Sequence, residues 1–201
     1  MKGNKHFWTP LVLMILTGML AGALPASAER PEHGIGKWLQ EVGVFAGYTK
    51  SGLKYQGDLE AIPVGMRFGF DLKPFLEKFG WSPKGMFEVM YEAFISTIYS
   101  PRDNVELGAS VFLKYSYPLT SRLFPFIEIG SGPYYMTLST YEQSTQFNFI
   151  SQGGAGLTYF LKKDLAVNVE YRRRHVSNAS IKSPNAGIDG DVYLLGLSLY
   201  F

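Results

Sequence analysis

Apolar and polar residues alternate with a period of two along most of this chain, and the alternation breaks at clusters of turn residues. Side chains of an extended strand point to opposite faces in turn, so each alternating run predicts a strand with one apolar and one polar face. The first run covers about 38–48, with Val42, Val44, Ala46 and Tyr48 on one face. The second, about 60–72, sets Ile62, Val64, Met66, Phe68 and Phe70 against Arg67, Gly69 and Asp71. A third, about 86–99, sets Phe87, Val89, Tyr91, Ala93, Ile95 and Tyr99 against Glu88, Met90 and Glu92. The fourth, about 104–117, sets Val105, Leu107, Ala109, Val111, Leu113 and Tyr115 against Glu106, Gly108, Ser110 and Lys114. Weaker runs follow at about 123–138 and 147–161, the latter loosened by Gly153, Gly154 and Gly156. The seventh, about 164–175, alternates Leu165, Val167, Val169 and Tyr171 with Asn168, Glu170 and Arg172, and the eighth, about 190–201, alternates Tyr193, Leu195, Leu197, Leu199 and Phe201 with Gly196 and Ser198.

Eight such runs predict an all-β fold, an eight-stranded antiparallel barrel whose interior is just filled by side chains. Charged residues share the minority face with glycines, which suits a small polar interior and a lipid-facing exterior; a soluble β-sandwich or lipocalin-like barrel is the alternative. Glu88, Glu92, Glu106, Glu170, Arg67, Arg172 and Lys114 would then form an interior ion-pair network. An aromatic content of 15% fits the aromatic girdles of a membrane barrel. The pattern ending in Phe201 also resembles the C-terminal signal of outer-membrane proteins.

The N-terminus changes the compartment. Lys2 and Lys5, the apolar run Leu11–Leu24 and Ala26-Ser27-Ala28 predict a cleaved signal peptide over residues 1–28, leaving a single barrel domain over 29–201. The apolar run is shorter than the ~20 residues a spanning helix needs. Losing two lysines leaves 17 Lys+Arg against 17 Asp+Glu, so a basic nucleic-acid-binding surface is not expected. The absence of cysteine excludes disulfides and thiolate metal sites, and three histidines, one of them in the signal peptide, make a metal centre or other cofactor unexpected.

With both barrel ends in the periplasm, the turns at about 73–85, 118–122 and 162–163 are periplasmic and the segment about 176–190 lies at the external rim. The first of these turns, Lys73–Trp81, is amphipathic and suits an interfacial plug or anchor. The external segment carries the candidate chemistry. His175 and Ser177 share one strand face, roughly 7 Å apart along the backbone, so an imidazole can reach the hydroxyl as a serine hydrolase requires. Parity carries the lipid-facing set of the seventh strand through Arg173 and His175 to Ser177, and that of the eighth back through Asp191 to Asp189. All three candidates therefore project outward at the membrane's edge, a position suited to a lipid of the outer leaflet. In role, Ser177 would be nucleophile, His175 base and Asp189 the acid orienting it, with Asn178 or Asn185 and nearby backbone N–H groups as oxyanion donors. Asn-Ala-Gly and Pro-Asn are also ordinary turn chemistry.

The run His175-Val176-Ser177-Asn178-Ala179-Ser180-Ile181-Lys182, followed by Pro184-Asn185-Ala186-Gly187-Ile188-Asp189, resembles the signature of PagL, the family of outer-membrane lipid A 3-O-deacylases. The resemblance implies an eight-stranded barrel that hydrolyses the ester-linked acyl chain at position 3 of lipid A, releasing a 3-hydroxy fatty acid. It assigns His175 as base, Ser177 as nucleophile, and Asn178 and Asn185 as supporting polar residues. The acid position, glutamate in the best-known form, falls on Asp189 here, which keeps the charge and shortens the side chain by a methylene; Asp191 ranks second. Arg173 and Arg174 are candidates for contact with a lipid A phosphate, against interfacial snorkelling or an internal ion pair, and Lys182 is similarly ambiguous.

The expected partner is lipid A or lipopolysaccharide of the outer leaflet, and a homodimer is left open. A non-catalytic structural or interaction barrel, and a phospholipase or acyltransferase acting on another membrane lipid, are the competing functions. The very short loop at about Ser100–Asn104 speaks against the first, and eight strands enclose too little room for a pore.

Overall fold

A computed structural model of the chain describes residues 38–201; the expected signal peptide, residues 1–28, lies outside the described residues. The strands β1 (Leu39–Leu53), β2 (Gly57–Asp71), β3 (Met86–Ser100), β4 (Asn104–Ser116), β5 (Leu123–Met136), β6 (Phe147–Phe160), β7 (Leu165–Ser177) and β8 (Ile188–Tyr200) follow one another as antiparallel neighbours. Pairing of β8 with β1 closes the barrel, so no described strand is left with a free edge. The helix α1 (Lys73–Glu77) sits in the β2–β3 connection, at the end of the barrel where β1 starts and β8 finishes.

Three polarity zones explain the strand lengths. Around the waist, apolar side chains such as Ile62, Met66, Ile95, Leu113, Ile127, Ile129, Val169 and Leu195 are exposed on the outer face. Inside the waist the charges pair. Arg67 bonds Glu170; Arg172 bonds Glu128 and reaches Glu92 at 2.7 Å and Glu170 at 2.9 Å; Lys114 reaches Glu41 at 2.7 Å. The buried ion pairs extend the expected set by Glu41, Glu128 and Arg174, the last pairing with Glu106. Toward the rim away from α1 the pattern inverts. There Leu53, Leu59, Ala61, Ile98, Met136, Leu138, Ile150, Val176 and Ile188 fill the lumen as an apolar cluster, while Lys50, Lys54 and Asp58 point outward.

This inversion corrects the strand boundaries read from the sequence. A run whose apolar residues switch from the outer to the inner face looks like the end of a strand, yet the ladder continues. β1 reaches Leu53 and β2 begins at Gly57, whose φ of +81° makes the tight turn that only three residues bridge. Likewise β7 runs on to Ser177 and β8 starts at Ile188, so the connecting loop is 178–187. His175, Ser177 and Asp189 thus stand on paired strands whose inward residues Val176 and Ile188 belong to the apolar plug, while Asn178 and Asn185 lie in the loop.

Arg172 contacts three buried carboxylates, and removing it leaves Glu128 without a cation and Glu92 and Glu170 with Arg67 alone. The Arg172→Met protein is expected to lose about 3–5 kcal/mol of stability, read as a lower urea midpoint of the barrel in detergent micelles. An unchanged midpoint would show that the network contributes nothing to holding the barrel closed.

Candidate active site

β7 and β8 position the site through their register. His175 is the direct cross-strand partner of Asp189, and Val176 the partner of Ile188. Val176 and Ile188 point into the apolar plug and are 1% and 2% exposed. Alternation then forces His175, Ser177 and Asp189 outward on the same face. His175 Nδ1 lies 2.8 Å from Asp189 Oδ1, so the shorter acid reaches the imidazole without help. A carboxylate at that distance can accept the Nδ1–H, the tautomer whose other ring nitrogen, Nε2, is an acceptor. The ring lies against Gly187, where φ is +80° and a Cβ would stand 2.5 Å from His175 Cε1; glycine is required there both for the backbone and for the imidazole.

Ser177, the last residue of β7, is half-buried beside its partner Phe149 on β6. Its hydroxyl makes no hydrogen bond with His175 among the described residues. Ser151, on β6, is the direct partner of His175 and also faces outward.

The two asparagines hold the loop. Asn178 is fully buried; its Nδ2 donates to the Lys182 carbonyl at 2.7 Å and to Ser144 Oγ at 3.2 Å, and its backbone N–H donates to Asn185 Oδ1 at 2.9 Å. The Asn178 amide protons are thus committed inside the loop. Asn185 spends its carbonyl oxygen there and keeps its NH2 group. Directly after the Ser177-Asn178 pair, Ala179 and Ser180 take left-handed conformations, with φ of 52° and 64°, and their N–H groups have no acceptor among the described residues.

The remaining candidates separate by parity. Arg173 faces outward and donates to Asp191 at 3.0 Å, and Tyr171 donates to the same carboxylate at 2.7 Å. Asp191 is therefore engaged away from His175. Arg174 faces the lumen, 2% exposed, with its guanidinium on Glu106 at 2.9 Å. This corrects its placement among the lipid-phosphate candidates, because an inward side chain inside a closed barrel cannot reach a lipid. Lys182 is exposed, and its carbonyl serves the loop through Asn178 and Ser144.

Missing from the sequence reading is the loop 137–146. Ser144 N–H donates to the Pro184 carbonyl at 3.1 Å, Ala186 N–H to the Glu142 carbonyl at 2.9 Å, and Gln143 bridges Asn185. Only its run of polar residues, Thr140–Gln146, hinted at a role. The 178–187 loop is thus held by a second loop and by Asn178. The Asn178→Ala protein is expected to expose Lys182 to trypsin, with cleavage after that residue about tenfold or more faster, as loss of several hydrogen bonds at a buried site implies. Equal cleavage in both proteins would show that the loop holds without Asn178.

An apolar belt around a closed, charge-filled barrel defines a bacterial outer-membrane protein, spanning with strands. Among solved structures the chain is similar to the crystal structure of the outer membrane enzyme PagL, with a TM-score of 0.56 and 22% identity, over 79% of this chain and 98% of that one. It is also similar to Neisserial surface protein A (NspA), with a TM-score of 0.61 and 11% identity, over 80% of this chain and 96% of that one. At such identities the likeness is one of fold. Among curated proteins nothing matches the chain. The model of the lipid A 3-O-deacylase (PagL) family matches residues 62–198, a span from β2 through β8 that contains every candidate residue, and the chain belongs to that family. Its class is accordingly that of the outer-membrane ester hydrolases. The barrel closes within one chain, and the homodimer left open by the sequence finds no support.

Proposed function

We propose that this chain is a serine esterase that removes the 3-O-linked acyl chain of lipid A from the outer leaflet. The observation that carries the reading is the His175–Asp189 pair, 2.8 Å apart, on the outward face of the rim with Ser177 two residues along the same strand. Ser177 Oγ attacks the ester carbonyl while His175 Nε2 takes its proton, and Asp189 stabilises the imidazolium. The tetrahedral oxyanion accepts hydrogen bonds from the free amides of the Ala179–Ser180 turn and from the Asn185 NH2 group; one such donor is typically worth about 3 kcal/mol. Collapse breaks the bond to the sugar 3-oxygen, which leaves as an alcohol carrying the proton from His175. Water, deprotonated by the same imidazole, then hydrolyses the acyl-enzyme and releases a 3-hydroxy fatty acid.

The surroundings favour a membrane lipid over a dissolved ester. Phe149, opposite Ser177, and Phe147 are exposed on the same outer face, so the acyl chain stays in an apolar setting up to the carbonyl. Arg173, also outward, keeps N–H donors beyond the one given to Asp191 and can meet a lipid phosphate.

The test is mass spectrometry of lipid A from Gram-negative cells producing the folded protein. Loss of one 3-hydroxyacyl mass is expected. Intact lipid A alongside fatty acid released from phospholipid would move the substrate to another membrane lipid, and no release from either would make the barrel non-catalytic.

A further inference from the structure

On the β1 side of Asp189, away from His175, the outer wall opens into a cleft of about 430 Å³. That volume falls in the range of small-molecule sites. Its charged lining comprises Lys50 and Lys54 from β1 and the turn after it, Asp189 and Asp191 from β8, Arg173 from β7, and Glu142 from the 137–146 loop. Most of these charges are already paired. Lys50 is 2.8 Å from Asp58, Arg173 3.0 Å from Asp191, and Asp189 2.8 Å from His175.

Two groups are left over. The Lys54 ammonium has no carboxylate within salt-bridge distance among the described residues and stands 5.2 Å from the Tyr55 ring centre. Glu142 is 5% exposed; its Oε1 accepts the Lys54 backbone N–H at 2.6 Å, while its Oε2 is enclosed and without a partner. An enclosed carboxylate oxygen that receives no hydrogen bond is destabilising, and a ligand hydroxyl or amide N–H would relieve it. The cleft therefore offers one unpaired cation and one unpaired acceptor, and it shares Asp189 with the candidate active site.

We infer that this cleft is the headgroup subsite, built for a phosphorylated amino sugar: Lys54 takes the phosphate and Glu142 takes a sugar hydroxyl or amide N–H. The inference rests on the esterase reading above and adds to it the chemistry that selects the lipid. A sugar held there places its acylated oxygen on the other side of Asp189, toward His175 and Ser177.

Binding is measured by calorimetry on the Ser177→Ala protein in detergent micelles, with three probes: a 3-O-acyl glucosamine 1-phosphate lipid, the same lipid without phosphate, and inorganic phosphate. The phosphorylated lipid is expected to bind about tenfold more tightly than its dephosphorylated form, the size of one charge-assisted contact. Adding Lys54→Ala removes the preference, and adding Glu142→Gln weakens both lipids alike while the 178–187 loop stays resistant to trypsin. Equal affinity for the two lipids, or a preference that survives Lys54→Ala, overturns the assignment. Inorganic phosphate binding as tightly as the glycolipid overturns it too, in favour of a free-anion site. Turnover by the Ser177-bearing protein separates the two readings. A phosphate preference without acyl release keeps the subsite and removes the hydrolase; acyl release without the preference does the reverse.

Discussion

Lipid A from cells producing the Ser177→Ala or the His175→Ala protein is expected to keep its full set of acyl chains, with release at least about 10³-fold below that of the parent. The size follows from the role that the proposed mechanism gives each group. Without the hydroxyl no acyl-enzyme forms, and without the imidazole the hydroxyl stays protonated and a poor nucleophile. The two losses are not additive, since either one disables the same step. Both residues face outward from the strand ladder and neither belongs to the apolar plug or the ion-pair network, so the barrels should fold alike and appear in the membrane in equal amounts. The readout is the mass spectrum of lipid A normalised to folded barrel. Should His175→Ala be inactive while Ser177→Ala keeps about a tenth or more of the parent rate, the nucleophile is not Ser177, and Ser151, the direct partner of His175 on β6, becomes the next candidate.

A second large loss is expected for Asp189→Asn, about 10²–10⁴-fold in acyl release. Asparagine fills the same space, but its NH2 group can donate to Nδ1. The ring proton then moves to Nε2, where the Ser177 proton would have to go. Asp191→Asn is the contrast. Asp191 accepts from Tyr171 and Arg173 at an exposed surface and makes no hydrogen bond with His175, so a few-fold loss at most is expected. Rates measured side by side on the same lipid decide between the two acids, and the reverse ranking would move the triad acid to Asp191.

Much of this site was legible because strand parity is a local property. Arg173, His175 and Ser177 had to share a face once the strand was recognised, and the alternation of apolar residues in Leu165–Tyr171 made that face the lipid-facing one. The same parity sent Arg174 inward, where Glu106 across the lumen receives it; the arginine's partner lies on β4, far away in sequence. Strand ends were less legible. Leu53 and Leu59 were hidden because beyond the membrane edge water lies outside the barrel, and the rule for which face is apolar reverses. A reader following one polarity sees the pattern stop where the ladder goes on. Between the two roles the sequence offers for Asn178, oxyanion donor or supporting residue, only the fold distinguishes. As a polar residue next to a candidate nucleophile it looks like an oxyanion donor, yet its protons go to Lys182, Ser144 and Asn185.

By itself the sequence determined the number of strands, the membrane-facing outer wall, and the face and rim on which a histidine, a serine and an acid are displayed. These follow from period-two alternation and short-range spacing, which neighbouring residues carry between them. Only the tertiary structure decided which acid meets His175, which arginine is spent inside the barrel, what holds the 178–187 loop, and that Lys54 and Glu142 border one cleft. Each of these depends on inter-strand register or on contact between loops, Lys54 and Glu142 for instance being 88 residues apart. Such pairings are set when β8 closes on β1 and the whole ladder locks into register, so no single segment of the chain contains them.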